Sequence, residues 1–213
     1  MNIVVINGTE KRGVTYRLKE LFLAEFKAGA DITEYYLPKD CPHFCNGCVS
    51  CILKGEGTCK GAEYIKKIDQ SLLEADLIVM TSPAYVFHAT GAMKALLDHF
   101  AYRWLPHRPA PEMFGKRAVI ITQCLGSGAK SAAKDMKHSL SWWGGFQNRY
   151  IYRCLDGRNL LGKASRTKTA SPDKKDKTVS SKICTNRLCK TCKDEFDYKN
   201  QIFFLPFDAE GTA

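Results

Sequence analysis

Apolar, β-branched runs alternate with segments whose apolar residues recur at helical spacing through the first 155 residues, and this change of rhythm restricts the fold more than any other feature. Such alternation builds βαβ units, and those units build a parallel sheet covered by helices. "NIVVING" reads as a first strand, apolar on both sides. Val14, Leu18, Leu21, Phe22, Leu23 and Phe26 then fall largely along one helical face, with Gly29 placed to end the helix. "DITEYYL" is a second strand, and Ile65, Ile68, Leu72 and Leu73 line a second helix. "DLIVMTSPAY" holds a third strand, followed by a helix beginning near Gly91 and marked by Met93, Leu96, Leu97 and Phe100. "RAVIITQC", "GAKSAAKDMKHSLSWWG" and "NRYIYRC" supply a fourth strand, a fourth helix and a short fifth strand. The expected fold is α/β: a three-layer sandwich around a five-stranded parallel sheet of order 2-1-3-4-5. In this order ligands sit beyond the carboxyl ends of the strands, where the order reverses.

A chain of 213 residues with 45% apolar residues forms one full core and a modest appendage. We expect a domain over residues 1–156, with a cysteine-rich insert at 41–59, and a basic tail over 157–213 of uncertain structure. The net charge of +10 is concentrated in that tail: ten Lys or Arg face three Asp between residues 163 and 194. The segment "KASRTKTASPDKKDKTVSSK" therefore reads as a solvated surface before it reads as a nucleic-acid site. The start "MNIVVINGT" enters a strand without a leader pattern, and no apolar run approaches the ~20 residues of a bilayer span. Both point to a cytoplasmic protein without membrane partners. In a reducing compartment, ten cysteines argue for metal or redox chemistry over a disulfide framework.

Three loops fall at the strand ends where this order places a ligand. In "NGTEKRGVTYRL" a strand ends at Asn7 and a helix begins near Val14, so helix-start amides form an anion site. Thr9 and Thr15 add hydroxyls, Lys11 and Arg12 add charge, and Gly13 and Val14 complete the turn. The alternative is a plain glycine turn before a capped helix. The stretch is neither a Walker A loop nor a G-x-G-x-x-G fingerprint. In "TSPAYVFHATGAMKALLDHF", Pro83 holds Ser82 extended and leaves amides free to face a flat ring edge. "TQCLGSGAKSAAKDM" offers Gly126, Ser127 and Gly128 at a helix start, just beyond Thr122; a simple glycine turn would look the same.

The first loop resembles the phosphate loop of flavodoxin-like FMN proteins, Gly-Ser/Thr-x-x-x-Gly-x-Thr. The Ser82, Pro83, Tyr85, Lys94 and Asp98 arrangement resembles the NADPH-dependent FMN reductase and iron–sulfur flavoprotein superfamily, over roughly residues 1–150. The resemblance implies a flavodoxin-like fold and bound FMN. It places Pro83, Ala84, Tyr85 and Val86 along the flavin, mainly through backbone, with Ser82, Thr122 and the small residues of the third loop nearby. Lys94 and Asp98 read more simply as an (i, i+4) surface ion pair. His107 and Arg108 in "HRPAPEMFGKR" face either the ligand or a neighbouring subunit.

Cys45, Cys48 and Cys51 form C-x2-C-x2-C, and Cys59 follows after seven residues. Three thiolates at this spacing reach three corners of a cubane while a fourth arrives from further along. Zinc more usually takes two separated C-x2-C pairs. An empty site with structural or redox-active thiols is the remaining alternative. The resemblance implies a [4Fe–4S] cluster near FMN, although the last gap is longer than in the compact family motif. Cys41 is a spare thiol. Cys184, Cys189 and Cys192 in the tail lack a fourth member, and no second cluster is expected.

The function these features imply is an FMN-dependent oxidoreductase taking electrons from NAD(P)H, or from a reduced ferredoxin, to a small acceptor. The cofactor carries the organic chemistry, and no side chain is required as a catalytic acid or base. The resemblance also implies a homodimer or homotetramer, for which Tyr102, Trp104, Trp142 and Trp143 are candidate interface aromatics as much as core ones. Two alternatives are a non-enzymatic FMN electron carrier and a zinc-stabilised nucleic-acid-binding module.

Overall fold

The computed structural model describes residues 1–26, 28–144 and 147–155, the last nine as backbone. The tail, its cysteines and the appendage expected over 157–213 lie outside the described residues.

Five strands form one parallel sheet: β1 (Asn2–Asn7), β2 (Asp31–Tyr36), β3 (Leu77–Pro83), β4 (Arg117–Leu125) and β5 (Gln147–Leu155), in the order β2-β1-β3-β4-β5. The register sets Val5 opposite Val79 and Val79 opposite Val119, and the backbone of β5 pairs with β4 from Arg117↔Gln147 onward. β3 is buried at every position, as expected of a strand covered on both faces. Alternate residues of the strands feed two separate cores. Ile3, Val5, Leu77, Val79, Val119 and Ile121 pack beneath α1 (Val14–Leu23). Val4, Ile6, Ile78, Met80, Ala118 and Ile120 pack against α3 (Ala62–Glu74), α4 (Gly91–His99) and α6 (Ala129–Gly144). The short helices α2 (Ser50–Leu53) and α5 (Ala101–Trp104) fill the connections. The result is a flavodoxin-like α/β protein built on a parallel sheet. Among the described residues no helix is long and apolar enough to cross a membrane.

Two sequence expectations change. The inward face of α1 buries Leu18 and Leu23 but not Leu21, which is 45% exposed, and it includes Lys19 at 0% exposure. The ammonium is buried because it has partners: Glu34 at 2.5 Å, Glu20 at 3.0 Å and the Tyr36 hydroxyl at 3.3 Å. The ring of Tyr16 also lies beneath it, 4.3 Å from its centroid. The second change concerns the aromatic set, which does not act as one patch. Tyr102 and Trp143 are buried, with Trp143 packed on Phe100 at 4.3 Å between centroids. Trp104 and Trp142 remain half exposed, and Trp142 meets His107 edge-on. Lys94 and Asp98 form an exposed ion pair one helical turn apart, as their spacing suggested.

Candidate functional site

The first, second and third loops leave β1, β3 and β4 at their carboxyl ends, and one threonine binds the first two together. Gly8 follows β1 so closely beside β3 that a Cβ there would stand 2.9 Å from the Thr81 carbonyl oxygen and 3.0 Å from Thr90 Oγ1. Its N–H donates to Thr81 O at 2.7 Å, and its own carbonyl accepts from Thr90 Oγ1 at 2.5 Å. Thr90 also caps α4, accepting from Met93 N, while its N–H donates to Ser82 Oγ at 3.0 Å. All of these groups are buried. Replacing Thr90 with valine keeps the shape but leaves the Gly8 carbonyl and the Met93 amide unpaired. The expected cost is about 2–3 kcal/mol, read as a fall in melting temperature of roughly 5–10 °C; Thr90→Ser restores most of it.

Beyond Gly8 the first loop opens. The Lys11 amide donates to Thr9 Oγ1 at 3.2 Å, Lys11 and Arg12 are exposed, and nothing lies within 4 Å of a Cβ built on Gly13. α1 starts at Val14 without a side-chain cap and without an acidic residue in its first turn, so its positive end is left for an anion. Thr15 is buried inside that turn. Behind the loop, Asn7 Nδ2 donates to Glu34 Oε2 at 3.0 Å, which ties the end of β1 to the Lys19 network.

The second loop turns sharply. Ala84 N donates to Gln123 O at 2.7 Å, fixing the exit from Pro83 to β4. Tyr85 and His88 then exchange backbone hydrogen bonds of 2.9 and 3.2 Å around Val86 and Phe87, both at positive φ (48° and 70°). This mirror-image turn ordinarily takes Asn-Gly, and a β-branched residue there is strained. Val86 and Phe87 are 89% and 60% exposed; with Tyr85 and Leu125, also exposed, they give the site an apolar rim.

The third loop supports the second. Gly126 and Gly128 both take positive φ, and a Cβ on Gly128 would stand 2.7 Å from Phe87 Cα. Ser131 Oγ donates to the Phe87 carbonyl, and Asp135 accepts from the Ala89 amide at 3.0 Å and holds His88 Nδ1 at 3.1 Å. Ser127 lies between the two glycines. Thr122 and Ser82 are buried, with their hydroxyls committed to Ala129 O and Pro83 O respectively. They shape the site from behind. Gln123 Oε1, at the end of β4, is a buried acceptor without a partner among the described residues.

The cysteine segment makes a second centre. Cys45, Cys48, Cys51 and Cys59 line one small hollow with His99. His99 Nε2 donates to the His43 carbonyl at 3.0 Å, leaving Nδ1 as the acceptor that faces Cys59 Sγ at 3.5 Å. Burial, with the neighbouring thiols, pushes the Cys51 thiol up, whereas hydrogen bonding from Ser50 draws Cys48 down. Buried Cys41 is pushed up to about 11, chiefly by burial. Four thiols around one hollow are the right chemistry for iron. Even so, no three His, Cys, Asp or Glu side chains among the described residues stand ready to hold a metal ion. A wider depression of about 330 Å³, lined by His107, Phe114 and Trp142 among others, lies where the chain enters β4 and leaves α6. That is the amino end of the strands, away from the three loops. Arg108 donates to the Ile52 carbonyl.

The fold is that of a flavodoxin-like α/β protein, with three loops gathered at the carboxyl ends of its parallel strands. Residues 1–152 match the NADPH-dependent FMN reductase family, and the chain belongs to it. It is 25% identical over 142 residues to an iron–sulfur flavoprotein of Archaeoglobus fulgidus, covering 66% of this chain and 62% of that one. It is 26% identical over 143 residues to an NADPH azoreductase of a Bacillus species, covering 66% and 69%. The azoreductase structure from Bacillus anthracis superposes with a TM-score of 0.59 at 16% identity, covering 78% and 91%. The chain thus spans less than two thirds of the iron–sulfur flavoprotein.

Thr90, Gln123, His88, Asp135 and His99 escaped the sequence reading. For Thr90 a signal existed, a threonine immediately before a helical pattern. His88 and Asp135 are 47 residues apart, and Cys59 and His99 are 40 apart, so no local spacing joins them.

Proposed function

We propose that the protein is an FMN-dependent oxidoreductase that takes electrons from NAD(P)H and reduces a small, flat acceptor. The observation that carries this reading is the Gly8–Thr90–Ser82 lock, which brings an uncapped helix start and a strained apolar loop to the same sheet edge. On this reading Thr9, Lys11, Arg12, Gly13, Val14 and Thr15 hold the phosphate. Pro83, Ala84, Tyr85 and Val86 border the ring through backbone, with Gly126, Ser127 and Gly128 on the other side. Bound there, the flavin supplies hydride chemistry. The chain orients it, neutralises its phosphate and, through Tyr85, Val86, Phe87 and Leu125, offers an apolar rim that excludes water and favours aromatic acceptors.

The cysteine segment is our proposed seat for an iron–sulfur cluster, with Cys45, Cys48, Cys51 and Cys59 as ligands. The shared hollow, the C-x2-C-x2-C spacing and the name of the Archaeoglobus relative support it. Iron and sulfide analysis of anaerobically isolated protein tests this part alone, and flavin bands without iron remove it.

The flavin part is tested by adding FMN and following quenching of its emission, then adding NADH or NADPH without air. Prompt bleaching is the expected result. Bleaching only with a reduced ferredoxin makes the protein a carrier, and absence of quenching overturns the reading.

A further inference from the structure

Two-electron reduction of a neutral acceptor, whether C=O or N=N, consumes a hydride and a proton, and the proton arrives either from solvent or, faster, from a positioned side chain. The three loops carry few titratable side chains: Glu10, Lys11 and Arg12 on the first, Tyr85 and His88 on the second, and none between Gly126 and Gly128. Of these side-chain types only imidazole both gives and takes a proton near neutral pH.

His88 is also held as a proton donor needs to be. Its backbone closes the turn with Tyr85 in both directions. Its Nδ1 lies 3.1 and 3.3 Å from the two carboxylate oxygens of Asp135, which accept only, so Nδ1 carries the hydrogen. The second ring nitrogen, Nε2, is then the one that exchanges its proton, on a side chain 66% exposed. Asp135 is fixed in turn by the Ala89 amide at 3.0 Å. A carboxylate behind one ring nitrogen fixes the tautomer and stabilises the cation, leaving the other nitrogen to work.

We propose that His88, oriented by Asp135, is the catalytic proton donor to the acceptor; this rests on the oxidoreductase reading above. Hydride reaches one end of the acceptor's reducible system with both electrons, one nitrogen of N=N or one oxygen of a quinone. The Nε2–H bond of the imidazolium breaks as the proton goes to the other end, the second nitrogen or the second quinone oxygen, where an N–H or O–H bond forms. Neutral His88 then regains its proton from solvent.

The test uses the full chain loaded with FMN, reduced by dithionite, and mixed in a stopped-flow instrument with a quinone, an azo dye or ferricyanide. Ferricyanide takes electrons and no proton. In His88→Gln, reoxidation by the quinone and the dye slows about 100-fold, at least tenfold more than reoxidation by ferricyanide, measured at saturating FMN. Imidazole added to His88→Ala restores the quinone rate, and Asp135→Asn lowers it. Quinone rates within twofold of wild type in His88→Gln overturn the proposal, as does parallel slowing with ferricyanide. Because dithionite replaces the nicotinamide, a wild-type flavin that NAD(P)H fails to bleach counts against the oxidoreductase reading only.

Discussion

Lys19→Met lowers stability by about 3–5 kcal/mol, because removing one partner of a buried ion pair strands the other, and the melting temperature falls by roughly 10–15 °C. Glu34 is the stranded partner, with Lys19 2.5 Å away in the intact protein. The loss is not that of a methylene or two: a Lys19→Met/Glu34→Gln double variant, which removes both charges, recovers much of it. The pH dependence has a definite sign. Burial alone pushes Glu34 up, but hydrogen bonds from Lys19, Tyr36 and Asn7 outweigh it and hold the carboxyl below its ordinary 4.5. That stabilisation is complete above pH 4.5 and disappears as pH falls through the folded value. Burial alone pushes Lys19 down, and Glu34 and Glu20 reverse it, holding the ammonium above 10.5. Its contribution is complete below pH 10.5 and disappears as pH rises through the folded value. Thermal melts between pH 3 and 7 show the deficit of Lys19→Met shrinking toward acid, where the stranded carboxyl accepts a proton. A deficit independent of pH contradicts this account.

Gly128→Ala weakens FMN binding by at least tenfold. At φ of +105° any side chain is strained, and the new Cβ would stand 2.7 Å from Phe87 Cα and 3.2 Å from the Phe87 carbonyl. The atoms in the way are backbone, so the second loop must lift from α6, loosening the Ser131 and Asp135 contacts that hold it. Gly29→Ala, in the turn before β2 and outside the three loops, is the control. Nothing lies within 4 Å of its Cβ and its φ is not in the left-handed region, so the loss there is slight. Fluorescence titration of FMN distinguishes the two, and equal affinities would show that the third loop does not position the second.

The strands and the loops between them were legible because each strand end carries its own local punctuation: Asn7-Gly8, Ser82-Pro83, and the glycines at 126 and 128. What stayed hidden depends on residues distant in the chain. Lys19 sits beside Glu20 and reads as a solvated position; only the fold delivers Glu34 and Tyr36 to bury it. Val86 and Phe87 misled in another way. Local rules assign a positive-φ turn to Asn-Gly, whereas here a hydrogen-bonded bracket of Tyr85 and His88, braced by Ser131 and Asp135, holds two bulky apolar residues in it. Cys59 needed α4 to supply its histidine.

That helix has one more implication. α4 begins at the Thr90 lock and ends at His99, nine residues spanning about 13 Å of rod. The thiol hollow and the strand-end loops are thus fastened to opposite ends of the same stiff strut. In protein isolated without iron, a dye attached to exposed Cys45 or Cys48 is held within resonance-energy-transfer range of any chromophore seated beside Gly8. Its emission becomes an optical gauge of ligand binding there, available without turnover.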